Sequence, residues 1–177
     1  MTRTAFRLAA SLALLSTSQL QAAAPAPAKS CMTAAELRGM VAYVLPSAMS
    51  TLVERCRPAL PAGASLLGRG GQLLAEFEAG RGAAFPLARQ AFAKFSDTGD
   101  KNTTAIVLTM PEETLRPIVD DALATKLVGS IAVKDCADID RIFTTLEPLP
   151  ASNFIDMITQ IVTIGARDDR KMSVCPA

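Results

Sequence analysis

The chain has no histidine and no tryptophan, and a single tyrosine among its 177 residues. Without histidine no side chain titrates near neutrality in its ordinary state, which excludes Ser-His and Cys-His nucleophiles and removes the commonest metal ligand. An excess of charge of one sign is also lacking, since 18 basic residues face 17 acidic ones. Such a balance gives no basic footprint for nucleic acid and no attraction to an anionic membrane surface. No apolar run approaches the roughly 20 residues needed to cross a bilayer, so no stable membrane insertion is expected. Neither a Cys-x-x-Cys redox pair nor an internal repeat occurs in the chain.

What is present begins with MTRTAFRLAASLALLSTSQLQAAAPAPA. Arg3 and Arg7 precede an apolar stretch from Leu8 to Leu15, and small residues follow, which is the pattern of a secretory signal peptide. Cleavage is expected after Ala22, leaving residues 23–32 as an Ala/Pro-rich tether and residues 33–177 as one helical domain. A lipid-modified Cys31 is not expected, because Lys29 and Ser30 precede it and the apolar stretch lies too far upstream. Losing Arg3 and Arg7 would leave the mature chain with one more acid than base. About 155 residues suffice for a single core.

Cys31, Cys56, Cys136 and Cys175 all lie beyond the cleavage site, and an even count in an exported chain reads as two disulfides. A zinc site is disfavoured, since no close cysteine pair and no histidine would begin one. Pairing follows from reach. A straight helix would hold Cys31 and Cys56 roughly 37 Å apart, and even a sharp bend would leave about 25 Å. A disulfide needs alpha carbons about 4.4 to 6.8 Å apart. Each must therefore pair with Cys136 or Cys175, and Cys31–Cys175 with Cys56–Cys136 is the favoured arrangement.

The periodicity is helical throughout. Thr33 and Glu36 form a capping box ahead of Leu37, Val41, Val44, Met49 and Val53, with Pro46 as a buried bend. A second helix is expected from about Ser65 to Ala79, then a break at AGRG, then a third helix carrying Phe85, Leu87, Ala88, Ala91, Phe92 and Phe95. SDTGDKNTT reads as a polar loop and TAIVLTM as a short helix or buried segment. PEETLRPIVDDALATKLVGSIA reads as one helix with Leu115, Ile118, Val119, Ala122 and Leu127 on its buried face. A last helix carries Phe154, Ile155, Ile158, Ile161 and Val162 and stops at Gly165. The expected fold is an all-α, irregular bundle of five to seven helices stapled by two disulfides.

The candidates for chemistry weaken on inspection. In KDCADIDRIF, Asp135, Asp138 and Asp140 surround Cys136, but the calcium-loop glycine and closing glutamate are missing. Asp135 is read instead as an N-cap, with Asp138 at N3 and Asp140 one turn further. Asp97, Asp100 and Asn102 fail the calcium spacing too and read as an exposed turn. GRGGQ at residues 68–72 lacks the strand and lysine of a phosphate loop. The adjacent pairs Glu112/Glu113 and Asp120/Asp121 point about 100° apart on a helix and read as a solvated face. The expectation is thus a non-enzymatic, exported protein, periplasmic or secreted, that serves interaction or envelope maintenance. No cofactor and no metal are called for. The partner is a protein, or alternatively an apolar small ligand or lipid held between helices; an enzyme with a carboxylate site is the third reading.

Overall fold

Thr33 opens the first helix, α1 (Ala34–Cys56), by accepting a hydrogen bond from Glu36 N at 3.2 Å while Glu36 Oε2 accepts one from Thr33 N at 2.7 Å. The capping box expected from these two residues is therefore formed. The computed structural model describes residues 31–95, 101–123, 129–146, 148–166 and 173–175. Residues 1–30, which hold the expected signal peptide and most of the tether, lie outside them. Pro46 lies within α1 and is buried, and the helix continues through it. Tyr43, Leu45 and Met49 around it are buried as well, so the chain does not turn back at this proline.

A short 3-10 turn at Arg57–Ala59 leads to α2 (Ser65–Phe95), which is 31 residues long. The expected break at AGRG is absent, and two expected helices are one. Gly80 and Gly82 face open space, so nothing forces the backbone apart there, and the residue between them, Arg81, is buried. Pro86 takes a backbone donor from the ladder, but it and Gly82, four residues earlier, are both exposed, where water can satisfy the freed carbonyl. The phosphate-loop candidate at residues 68–72 lies within this helix, where Gly70 packs against Val53 at 3.4 Å and Met49 at 3.6 Å.

α1 and α2 run antiparallel along their whole length. Lys94 meets Glu36 at one end and Gly70 meets Val53 at the other. Gly39 marks the closest approach, since a Cβ there would stand 2.5 Å from that of Leu87. Two apolar clusters sit on this hairpin. Leu45, Met49, Val53, Leu66, Leu73 and Phe77 join Phe143 of α5 (Cys136–Leu146) and Phe154 of α6 (Ala151–Gly165). Tyr43 and Ala88 join Leu115 and Val119 of α4 (Glu112–Leu123). The remaining helix, α3 (Lys101–Thr109), packs on α2. Its first turn occupies part of the stretch read as a polar loop.

The six α-helices of the described residues form an all-α bundle with two disulfides, as the periodicity implies. Other details differ. α4 ends at Leu123 and residues 129–130 form a turn, because Gly129 and Ser130 interrupt what read as one long helix. Leu127 lies outside the described residues. Ile118 and Ala122, assigned to the buried face, are exposed, and only Leu115 and Val119 point inward from that helix. A one-sided contact buries a narrower stripe than a fully surrounded helix would.

Cys31 is bonded to Cys175 and Cys56 to Cys136, with alpha carbons 5.0 and 5.5 Å apart. Both bonds join the N-terminal half to the C-terminal half, as the reach of a helix requires. The first is flanked by an isolated parallel bridge between Met32 and Val174. The second ties the end of α1 to the start of α5. Among the described residues no helix is long and apolar enough to cross a membrane.

Candidate functional site

The inward seam of α2 reads Leu66, Gly70, Leu73, Phe77, Arg81, Ala88, Ala91, with steps of three, four or seven residues. Helical geometry places all of these on one face. Arg81 therefore occupies a core position between the two apolar clusters, where an aliphatic side chain would be ordinary. Its side chain is only 2% exposed. A buried guanidinium must be paired and solvated by protein, or its desolvation is prohibitive.

Neighbouring helices supply the compensation. Arg81 Nη2 donates to Asp120 Oδ1 of α4, and Nη1 donates to Glu78 Oε1 at 3.3 Å. The guanidinium carbon stands 4.6 Å from the centre of the Tyr43 ring on α1, a cation–π contact. Asp120 Oδ1 also accepts the Ser47 hydroxyl at 2.6 Å. Arg116 closes the circuit by donating from Nη2 to Glu78 Oε2 at 2.8 Å, with its Nε 3.9 Å from Asp120 Oδ2. Three helices are thus tied together at one polar node. Asp120, read from the sequence as part of a solvated pair, belongs to that node, because the register of α4 sets it opposite Arg81.

Above the node lies an open cleft of about 360 Å³. Ser47, Ser50 and Thr51 line it from α1, Glu78 and Arg81 from α2, and Arg116, Asp120 and Asp121 from α4. Its wall is polar, so it is no seat for an apolar ligand. Two buried atoms at the node lack hydrogen-bond partners, Arg81 Nε and the Tyr43 hydroxyl. Burial raises the Tyr43 phenol above its ordinary pKa, and the Arg81 charge opposes this only in part. The phenol accordingly stays neutral and is no base. The Ser47 proton is directed to Asp120, and each of Glu78 and Asp120 already neutralises an arginine. This arrangement holds helices and presents polar groups; it provides no activated nucleophile.

The aspartates around Cys136 are dispersed. Helical winding begins one turn early, as a 3-10 turn at Val133–Asp135 preceded by Ala132, so Asp135 does not cap α5 with its side chain. Asp138 pairs with Arg141 on the surface. Asp140 does cap a helix, but a different one: its Oδ1 accepts from Leu66 N at 2.7 Å, at the start of α2. Asp97 and Asp100 lie outside the described residues. Among the described residues no group of three His, Cys, Asp or Glu side chains could hold a metal ion.

No family model, curated protein or solved structure matches the chain. The sequence did carry a signal for the node. An arginine four residues after Phe77 interrupts an otherwise apolar helical series, and reading the flanking glycines as a break concealed it.

Proposed function

We propose that this is an exported, disulfide-bonded helical protein that acts by binding a partner protein and not by catalysis. The observation that carries this reading is on α6. Ile161 and Ile164 lie one turn apart and are 57% and 59% exposed. The helix, ASNFIDMITQIVTIG, contains one charged residue, Asp156, which is paired with Arg38 at 2.6 Å. A helix apolar on more than one side is ordinarily covered, and contiguous exposed apolar surface marks an interaction site. Support for export comes from Arg3, Arg7 and the Leu8–Leu15 stretch together with the two disulfides. An apolar-ligand carrier draws no support from the cleft, which is polar and open. A carboxylate enzyme draws little, because arginines already engage Glu78 and Asp120.

The test has two arms. N-terminal sequencing of the protein from its native envelope should begin at Ala23, and a chain beginning at Met1 would remove the export reading. Native mass spectrometry of the same material should show a protein partner that is retained by the parent and lost by an Ile161→Ser, Ile164→Ser double variant of unchanged melting temperature. Retention of the partner by the variant, or a bound apolar small molecule in its place, would overturn the binding reading.

A further inference from the structure

The two disulfides sit in opposite environments. Cys56 and Cys136 are fully buried within the cluster that contains Met49, Val53, Leu66 and Phe143. Cys31 and Cys175 are both partly exposed, at the edge of the molecule where the two ends of the described chain meet. Thiol–disulfide exchange requires a thiolate to reach one sulfur, so access separates the two bonds.

What the accessible bond holds is a short strap. Met32 N donates to Ser173 O at 2.8 Å, and Cys175 N donates to Met32 O at 2.8 Å, which forms the bridge between Met32 and Val174. The Cys31 side of this junction is anchored to the body independently. Lys94 Nζ donates to Cys31 O at 3.0 Å and to Glu36 at 2.7 and 2.8 Å, and the capping box fixes Thr33 to α1. The Ser173–Cys175 side has the disulfide and two backbone hydrogen bonds. Without the disulfide, two such bonds compete against the entropy of ordering a chain end.

We propose that the Cys31–Cys175 bond is a redox-operated strap: a dithiol reductant opens it selectively, the C-terminal segment leaves, and Met32 is uncovered while the helical body stays intact. The chemistry is two-electron exchange. A thiolate of the reductant attacks one sulfur, the Cys31–Cys175 bond breaks, and the released cysteine takes up a proton. The second thiol of the reductant then resolves the mixed disulfide, which leaves Cys31 and Cys175 as thiols and the reductant as its own disulfide. Met32, only 1% exposed in the strapped form, would lose its backbone partners on release. The buried Cys56–Cys136 bond meanwhile holds α1 to α5.

The experiment treats the folded, oxidised protein with dithiothreitol for graded times in native buffer, then alkylates and maps the peptides. Cys31 and Cys175 are expected to be labelled at least about tenfold faster than Cys56 and Cys136. Helical circular dichroism should persist in the half-reduced species. Carboxypeptidase should pass Cys175 in that species and stop before it in the oxidised protein. A Cys31→Ser, Cys175→Ser double variant should reproduce the open tail without reductant, and the chemical reduction stands as the test if that variant does not fold. Equal labelling of all four cysteines, earlier labelling of Cys56 and Cys136, or a tail that stays protected after reduction would each overturn the proposal.

Discussion

The guanidinium of Arg81 stacks over the ring of Tyr43, 4.6 Å from its centre, and joins the first helix to the second at the one charged position of an apolar seam. Arg81 also reaches Asp120 and Glu78. Removing its side chain therefore opens a void and leaves two carboxylates without their buried cation. Arg81→Ala is expected to cost about 3 kcal/mol. Arg81→Met should cost less, since it refills the space and both carboxylates are exposed enough for water to solvate them. Tyr43→Phe keeps the ring beneath the guanidinium and deletes a buried hydroxyl that has no partner, so it should be neutral or stabilising. Urea unfolding of the three variants checks the order.

Two glycines should respond to alanine with opposite signs. At Gly39 the new methyl would meet Leu87 Cβ at 2.5 Å and Ala88 N at 3.3 Å, and neither atom can move without its helix moving. Gly39→Ala is expected to destabilise by about 1 to 3 kcal/mol, more than the gain in helix propensity returns. Gly71 lies in the middle of α2 with open space around it. Gly71→Ala should stabilise by about 0.5 to 1 kcal/mol. Denaturant midpoints of the pair measure how closely α1 and α2 are pressed together.

These features differ in how readable they are from the sequence. The capping box at Thr33 and Glu36 is local, so its signal is complete within four residues. The pairing of Cys31 with Cys175 and of Cys56 with Cys136 follows from rigid helix length, which is also local information with a long-range consequence. The continuity of α2 is different. Gly80 and Gly82 lower intrinsic propensity, and only the contacts of Arg81 with α1 and α4 outweigh that cost. Nothing near residue 81 announces Tyr43 or Asp120. The node was therefore hidden for the same reason that it exists: it is made by three helices.

The salt bridge between Glu36 and Lys94 should give stability an acid-sensitive component. Burial alone would raise the Glu36 pKa, but the Lys94 hydrogen bond, the two bonds to Thr33 and the Lys94 charge outweigh it and hold the carboxyl below its ordinary value. A group with a depressed folded-state pKa binds fewer protons folded than unfolded as the pH approaches the carboxylate range from above. Its contribution is therefore complete above the unfolded carboxylate pKa and is lost as pH falls through the folded one. Melting temperature recorded from about pH 6 down to about pH 2 should fall more steeply for the parent than for Glu36→Gln. Parallel curves would show that the bridge contributes nothing to acid sensitivity.

Asp140 and Asp135 lie five residues apart in one acidic stretch, yet they should behave differently on substitution. Asp140 Oδ1 accepts from Leu66 N at 2.7 Å, so it satisfies one of the free donors at the start of α2 from a different helix. Thr144, one turn later on α5, adds a hydroxyl bond to Ser65 at 3.0 Å, and the two contacts clamp α5 onto the end of α2. Asp140→Ala leaves that donor without its partner and is expected to cost about 0.5 to 2 kcal/mol, while Asp140→Asn, which retains an acceptor, should cost much less. Asp135 closes a 3-10 turn through its backbone N–H to Ala132 O at 2.9 Å, and alanine keeps that bond. Asp135→Ala should stay within about 0.5 kcal/mol of the parent. Thermal melts of these variants, with and without added calcium, decide between capping and ion binding. A calcium-dependent rise in the parent that disappears in both Asp140 variants would replace the cap with a metal site. Calcium-insensitive melts, with the Asn variant close to the parent and the Ala variant well below it, assign Asp140 to the start of α2.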